Sequence, residues 1–147
     1  MRMEPVTING VRFVNDCYNA NMVSMKAALQ MIRETPCGGR KIAVLGDMLE
    51  LGAWTEKAHL EIGAMAAECG LSLLVTVGQA AGHIAHAAVE AGMDTHCVLP
   101  LPTAAEAAET LRALTHEGDF VLVKGSRGLQ LEKILEEFTH TKDAAIL

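Results

Sequence analysis

Short apolar segments alternate with helical patterns along most of this 147-residue chain, and this alternation restricts the possible folds more than any other feature. The segments cover residues 42–45, 73–77, 97–99 and 120–123. Each has the length of a strand and lacks the polar–apolar alternation of a sheet with one face in water. Such segments are typical of parallel strands that are buried on both faces.

The stretches between these segments carry apolar residues at the i, i+3, i+4, i+7 spacing of an amphipathic helix. Four such stripes begin at Met25, Ile62, Ala104 and Leu131, and a fifth runs from residue 80 to residue 91. Half of the residues are apolar, but the only aromatic ones are three Phe, one Tyr and one Trp. The core must therefore be built mainly from Ala, Leu, Val, Ile and Met.

Repeated strand–helix units indicate an α/β fold with a Rossmann-like, doubly wound, mostly parallel sheet. The Asn9-Gly10 pair between two apolar segments predicts a β-hairpin at the N-terminus. Because no linker or shift in composition interrupts the chain, we expect a single domain over residues 1–147. Ligands of doubly wound sheets bind beyond the carboxyl ends of the strands. Functional residues are therefore expected in the loops after residues 16, 45, 77 and 123.

The charge and hydropathy of the chain exclude several classes of protein. A net charge of −6 argues against a non-specific nucleic-acid binder, which needs a basic face to displace counterions from phosphates. No apolar run approaches the ~18–20 residues that a membrane-spanning helix requires, so we expect no membrane span. The N-terminal residues lack the apolar core of a signal peptide. The sequence thus predicts a soluble cytoplasmic protein.

The loop after the first long strand, residues 16–21, reads DCYNAN. Asp16 can accept a hydrogen bond from a ribose hydroxyl, Tyr18 can stack on a base, and the amides of Asn19 and Asn21 can pair with an adenine edge. Asn and Asp also favour turns, and Asn21 is well placed to cap the helix that follows. Both interpretations are open for this loop.

The loop at residues 46–52 reads GDMLELG and presents the carboxylates of Asp47 and Glu50. These two side chains could bind a substrate ammonium group or a cation. Alternatively, they form an acidic first turn that stabilises the N-terminus of a helix.

The loop at residues 124–128 reads KGSRG and lies between a buried strand and a helix. Backbone amides and the positive end of the helix dipole favour an anion at such a place. Lys124 and Arg127 add two cations, and Arg can bind a carboxylate or phosphate with two hydrogen bonds. The alternative is that Ser126 caps the helix and both cations are solvated.

Motifs for metal binding or for a phosphate-binding loop are missing from the sequence. The four cysteines form no CxxC pair, and His83 and His86 have no third ligand nearby. Neither GxxxxGK[ST] nor GxGxxG occurs. His59 has Glu56 and Glu61 as neighbours but no nucleophile. We therefore expect no metal site on this chain and no catalytic role for His59.

Three motifs occur in a specific order: YNAN at residues 18–21, GDMLELG at residues 46–52 and KGSR at residues 124–127. With them, the chain resembles the C-terminal domain of the Mur ligases over roughly residues 2–138. Two positions depart from the family pattern. Met22 stands where the family usually has Pro, and Cys17 where it usually has Ser. We expect both changes to leave the loop contacts in place.

The resemblance implies an ATP-dependent, ADP-forming ligase that adds D-alanyl-D-alanine to UDP-MurNAc-tripeptide in peptidoglycan precursor synthesis. The phosphate loop, the Mg²⁺ ligands and the nucleotide-sugar site belong to other domains of such ligases. A C-terminal domain closes over ATP and helps to bind the dipeptide, so it is expected to be inactive alone. By this resemblance ATP is contacted by Asp16, Tyr18, Asn19 and Asn21. The dipeptide substrate is contacted by Asp47, Glu50, Lys124, Ser126 and Arg127.

Two alternatives remain at this point. The chain could belong to another Mur-type amide ligase that joins a different amino acid to a related precursor, although the YNAN and KGSR motifs speak against this. It could also be a free-standing, non-catalytic α/β module that binds a nucleotide or an anion. A free-standing module should bind its ligand tightly without other domains.

Overall fold

The computed structural model describes residues 4–16 and 20–146. Six strands occur in this part of the chain: β1 Glu4–Ile8, β2 Val11–Asp16, β3 Lys41–Gly46, β4 Leu73–Val77, β5 Val98–Leu101 and β6 Phe120–Lys124. The α-helices described are α1 Met22–Glu34, α2 Thr55–Ala66, α3 Gly82–Glu90, α4 Ala104–Leu114 and α5 Lys133–Ile146. Short 3-10 turns cover Gly52–Trp54, Thr95–Cys97 and Arg127–Leu129.

All six strands form one sheet in the order β1-β2-β6-β3-β4-β5. The strands from β2 to β5 in this order are parallel, whereas β1 pairs with β2 in the antiparallel direction. The last strand, β6, lies between β2 and β3, and the helix that follows it packs on the opposite face of the sheet from the helices that follow β2 and β3. The carboxyl ends of β2, β6 and β3 meet there, which is where ligands bind in doubly wound sheets.

The sheet has an apolar layer on each face. Buried residues of α1, α2 and α3 cover one face, and buried residues of α4 and α5 cover the other. Successive residues of a strand contribute to opposite layers: Leu45 packs with the first layer, whereas Val44 packs with the second. Because β3, β4 and β6 lie between two layers of helices, their sequences are continuously apolar. The expected doubly wound α/β fold is confirmed.

Small residues replace aromatic ones in this core. Gly63 lets α2 approach α3 so closely that a Cβ atom there would lie 2.2 Å from the Ile84 carbonyl oxygen. The one ring pair among the described residues joins Phe13 and Phe138, with ring centroids 5.0 Å apart in an edge-to-face arrangement. The low aromatic content is therefore compensated by close helix packing.

The N-terminal hairpin is also confirmed. Asn9 and Gly10 have φ values of 53° and 82°, the left-handed conformation that a two-residue hairpin turn of this kind requires. The two edge strands each contain a proline, Pro5 in β1 and Pro100 in β5. Proline cannot donate a backbone hydrogen bond, so both edges are protected from pairing with another strand.

One strand begins later than its sequence indicated. The apolar segment at residues 97–99 predicted a strand, but Cys97 ends a 3-10 turn and β5 runs from Val98 to Leu101. The turn begins after Asp94, whose side chain accepts a hydrogen bond from the His96 backbone N–H at 2.8 Å.

No helix in the described part of the chain is long and apolar enough to cross a membrane.

Candidate functional site

The last residues of β2 and β6 form a buried ion pair at the carboxyl edge of the sheet. Asp16 and Lys124 are register partners on these strands, and Lys124 Nζ lies 2.7 Å from Asp16 Oδ2. Only 1% of the Lys124 side chain is exposed, against 13% of the Asp16 side chain. The sequence placed these residues in two different sites, for ATP and for the dipeptide. The structure brings them together.

This ion pair connects the loop after β2 with the loop after β6. A buried ammonium group is stable only when a counter-charge and hydrogen bonds compensate for its lost hydration. Asp16 supplies that charge from the edge of the sheet, where 13% of its side chain is exposed. Lys124 therefore has a structural partner, and any contact of Lys124 with a substrate stays a prediction.

Asp47 lies in the loop after β3 and is nearly buried. Its Oδ1 accepts a hydrogen bond from the Ala81 backbone N–H at 2.6 Å. Gly78, at φ 114°, passes so close to the carboxylate that a Cβ atom there would lie 2.5 Å from Oδ1. Asp47 thus joins its own loop to the loop after β4.

Ser126 joins the loop after β6 to the loop after β3. Its backbone N–H donates to the Asp47 carbonyl oxygen at 3.0 Å, and its Oγ accepts from the Leu49 backbone N–H at 3.0 Å. The Ser126 hydroxyl is directed to another loop. This contact is therefore not the helix cap that was the alternative interpretation of Ser126. Together with Asp47, Ser126 connects three strand-end loops into one hydrogen-bonded unit.

His59 is a member of this unit that the sequence did not single out. The imidazole is fully buried on α2, and its Nε2 accepts a hydrogen bond from the Met48 backbone N–H at 2.9 Å. Its Nδ1 lies 2.6 Å from the Thr55 carbonyl oxygen. The spacing of four residues between Thr55 and His59 is a weak signal for the second contact. Nothing in the sequence indicates the first.

Glu50 extends from the same loop into solvent, in contrast to Asp47. Its φ of 62° places a non-glycine residue in the left-handed region. Such a conformation is uncommon for a residue with a side chain, and it is found more often at functional sites. Glu50 is the exposed carboxylate of this loop and remains the predicted ammonium-binding group.

The loop after β2 is described only in part, because Tyr18 and Asn19 lie outside the described residues. Asn21 caps α1, where its Oδ1 accepts from the Ser24 backbone N–H at 2.9 Å and Ser24 Oγ accepts from the Asn21 N–H at 3.1 Å. The cap interpretation of Asn21 is therefore confirmed, and its contact with ATP stays a prediction. Arg127 begins a 3-10 turn, but its side chain lies outside the described part of the structure.

A small cavity of about 300 Å³ lies beside this edge, between the start of α1 and the start of α2. It is lined by residues that include Met22, Leu51, Trp54 and Lys57. The Trp54 side chain is largely exposed, and Lys57 Nζ lies 5.4 Å from the centre of its ring.

Among the described residues, no cluster of three His, Cys, Asp or Glu side chains could hold a metal ion.

A family model described as "Mur ligase, glutamate ligase domain" matches residues 1–127 of the chain. The chain belongs to the Mur ligase family. The match includes every predicted site residue of this Mur ligase domain, from Asp16 to Arg127. It also includes the ion pair and the hydrogen bonds that connect the strand-end loops.

Several known ligases are similar to this chain. The UDP-N-acetylmuramoyl-tripeptide–D-alanyl-D-alanine ligase of Bacillus subtilis is 35% identical over 138 residues, which are 93% of this chain and 30% of that ligase. A crystal structure of MurF from Acinetobacter baumannii has 30% sequence identity to this chain and a TM-score of 0.82. The structure of the MurF ligase of Thermotoga maritima in complex with ADP has 26% sequence identity to this chain and a TM-score of 0.78. Each of these two structural matches covers 95% of this chain and 30% of the other chain.

Proposed function

We propose that this chain is the C-terminal domain of an ATP-dependent, ADP-forming ligase that joins D-alanyl-D-alanine to UDP-MurNAc-tripeptide in the cytoplasm. The observation that carries this proposal is the 35% identity to a ligase of that name along 93% of the chain. The chain spans about 30% of the length of that relative. Most of the catalytic apparatus must therefore come from outside the matched segment.

The loop after β2 is the proposed contact for ATP. Asp16 has a carboxyl group at the rim that can accept from a ribose hydroxyl, and Asn21 is exposed and keeps its amide N–H₂ group for a base edge. Tyr18 and Asn19 are the other two ATP contacts that the sequence predicts in this loop. The donor and acceptor chemistry fits a nucleoside, whereas Mg²⁺ and the phosphates are proposed to bind to other domains. ATP supplies the phosphoryl group that activates the tripeptide carboxylate.

The loops after β3 and β6 are the proposed contacts for the dipeptide. A dipeptide presents an ammonium group at one end and a carboxylate at the other, so its binding requires an anion and a cation at the protein surface. Glu50 offers an exposed carboxylate for the ammonium group, and Arg127 is the predicted partner of the dipeptide carboxylate. Asp47, Ser126 and Lys124 hold these loops in place from positions that are almost closed to solvent, and their own contacts with the dipeptide stay predictions.

The test is an assay of the complete reading frame that contains this chain. The purified product is incubated with ATP, one UDP-MurNAc precursor (the tripeptide or a form with a shorter peptide) and one amine at a time, chosen from D-alanyl-D-alanine, D-alanine, D-glutamate and meso-diaminopimelate, and phosphate release is measured. We expect turnover with D-alanyl-D-alanine alone. Preference for a different amine would identify another Mur-type ligase and contradict the proposal.

A matched control uses the 147-residue chain without any other domain. We expect no phosphate release from it, because the proposed phosphate and Mg²⁺ sites lie elsewhere. Calorimetry with ATP measures its binding separately. A dissociation constant in the micromolar range or below, together with an isolated reading frame, would favour a free-standing nucleotide-binding module instead.

A further inference from the structure

The hydrogen bonds of His59 define the protonation state of its ring. The Met48 backbone N–H donates to Nε2, so this nitrogen carries a lone pair and no proton. The Thr55 carbonyl oxygen is purely an acceptor, so the Nδ1 atom that lies 2.6 Å from it carries the proton. The imidazole is therefore neutral and held in a single tautomer. Each of its two nitrogens has one partner.

Met48 lies in the middle of the 46–50 loop, which comprises residues 46 to 50 and carries both predicted carboxylates. Asp47, immediately before it, is held by the Ala81 N–H, and Leu49, immediately after it, is held by Ser126 Oγ. The Met48 N–H is a further anchor of this loop, and its acceptor comes from α2. Helices are more rigid than loops, so this contact fixes the 46–50 loop relative to the body of the domain.

We propose that His59 is a positioning residue for the amine substrate. It acts through the Met48 N–H, which sets the path of the 46–50 loop and thereby the position of the Glu50 carboxylate two residues further on. His59 itself is fully buried and touches no substrate. This inference rests on the proposed function of the 46–50 loop as the contact for the amine.

Two substitutions separate the two contacts of the ring. In His59→Gln, the longer side chain can place its amide oxygen where Nε2 was, so the acceptor for the Met48 N–H is kept. In His59→Asn, the shorter side chain reaches only the position of Nδ1, so the contact with the Thr55 carbonyl is kept and the loop anchor is lost. Both variants are neutral and polar, so their comparison isolates the loop contact. His86→Asn on the exposed side of α3 is the control.

The variants are measured in the complete ligase, at a temperature well below their melting points. We expect His59→Asn to raise the KM for the amine about tenfold, the effect of losing roughly one hydrogen bond. The KM for ATP should be unchanged, because the 46–50 loop is not the proposed ATP contact. His59→Gln and His86→Asn should keep the wild-type KM for both substrates. A purely stabilising role would instead lower the melting temperature and leave each KM unchanged.

A structural measurement on the 147-residue chain tests the contact independently of any activity. We expect amide hydrogen exchange of Met48 to be slow in wild type and in His59→Gln and at least tenfold faster in His59→Asn. Nitrogen NMR of the imidazole should show an unprotonated Nε2. If His59→Asn does not fold, His59→Gln decides the matter, because a folded His59→Gln ligase with a raised amine KM contradicts the proposal.

Failure of this inference and failure of the proposed function give different results. If the wild-type ligase uses another amine, the substrate assignment is wrong, and the variants are compared with the amine that it does use. If His59→Asn releases the Met48 amide to exchange but keeps the wild-type amine KM, the positioning role is wrong. Slow exchange of Met48 in His59→Asn would show that the contact itself does not hold the loop.

Discussion

The domain carries a partly buried ion pair at each end of its sheet, and the two pairs are built in opposite ways. At the amino end, Arg40 Nη2 lies 2.8 Å from Asp119 Oδ2, and 2% of the aspartate side chain is exposed against 39% of the arginine side chain. At the carboxyl end the cation is the buried partner, since Lys124 is 1% exposed and Asp16 is 13% exposed.

The amino-end pair is a closed structural contact. Besides the guanidinium group, the Asp119 carboxylate accepts backbone N–H groups of Arg40 at 3.1 Å and of His116 at 2.8 Å. Burial acts to raise the pKa of Asp119, but the hydrogen bonds from Arg40 and His116 and the charge of Arg40 outweigh it, so the pKa is lowered. The carboxylate is fully occupied by donors of the protein, and the more exposed group is the Arg40 cation, which also donates to the Leu114 carbonyl oxygen.

The carboxyl-end pair leaves its acceptor partly exposed. Lys124 is buried beside Asp16 on the neighbouring strand, and 13% of the Asp16 side chain is exposed at the edge where ligands bind in such sheets. The two pairs differ in which partner is buried: the anion at the amino end and the cation at the carboxyl end. Pairing alone does not distinguish them, because both distances are those of ordinary ion pairs.

The largest expected effect comes from Asp16→Asn, which removes the carboxylate that is paired with the buried Lys124 ammonium group. We expect the free energy of unfolding of the 147-residue chain to fall by about 3–5 kcal/mol, as in other broken buried pairs. Urea denaturation at pH 7 measures this. The double variant Asp16→Asn with Lys124→Met should recover most of the loss. A loss below about 1 kcal/mol, the range of exposed pairs, would contradict our view of this pair as a buried one.

The same substitution at the other end, Asp119→Asn, should have a smaller effect because the Arg40 side chain is 39% exposed and keeps a hydrogen bond to the Leu114 carbonyl oxygen. We expect a loss of about 2–3 kcal/mol at pH 7 from weaker hydrogen bonds to a charged acceptor. Since the pKa of Asp119 is lowered on folding, this stability is present above the unfolded pKa of about 3.9 and is lost as the pH falls through the folded value. Urea denaturation between pH 3 and pH 7 should show wild type and variant converging in acid.

A loss for Asp119→Asn that equals or exceeds that of Asp16→Asn would contradict the proposed difference between the two ends. A difference between wild type and Asp119→Asn that does not change with pH would show that hydrogen-bond geometry, rather than charge, accounts for the loss.

Substitution of glycines sharpens the comparison further. Gly78→Ala at the carboxyl end introduces a Cβ atom 2.5 Å from Asp47 Oδ1 at a φ of 114°, so both the backbone and the carboxylate must shift. We expect a loss of about 2 kcal/mol or more. Gly118→Ala at the amino end is the matched control, because its φ is 95° but no atom lies within 4 Å of the added Cβ. Its loss should be about 1 kcal/mol, from strain alone.

Thermal denaturation of the two glycine variants measures this difference, and amide exchange of Ala81 reports on its contact with Asp47. Equal losses for both variants, with Ala81 still protected, would show that Asp47 is not tightly enclosed by the neighbouring loop.

The sequence alone predicts the fold well because its signals are local. Apolar runs such as residues 73–77 and the Asn9-Gly10 turn report on burial and on backbone geometry within a few residues. The order of the strands is not local, and the position of β6 between β2 and β3 cannot be read from any one segment. The start of β5 was predicted one residue too early because the apolar Cys97 continues the run, whereas Asp94 stabilises a turn there.

The site was predicted as a set of loops but not as a set of contacts. Asp16 and Lys124 are 108 residues apart in the sequence, and only the register of two neighbouring strands brings them together. Met48 and His59 are 11 residues apart, and their hydrogen bond depends on how the loop enters α2. The types of residue at a sheet edge therefore indicate its chemistry. Which of them hold the loops and which face a ligand depends on burial, which the sequence does not encode locally.

The smallest effect on stability is expected for Glu50→Gly. Glycine relieves the strain of a φ of 62°, but it also adds conformational freedom to the unfolded chain, and both terms are about 1 kcal/mol. We expect them to cancel to within about 0.5 kcal/mol. The amine KM of the complete ligase should nevertheless rise about tenfold or more, because a charge-assisted hydrogen bond is lost. Asn9→Gly in the amino-end hairpin, at a φ of 53°, should change neither quantity appreciably. If Glu50→Gly raises stability and leaves the amine KM unchanged, the strain at residue 50 has no role in binding, and the proposed contact of the Glu50 carboxylate with the amine is wrong.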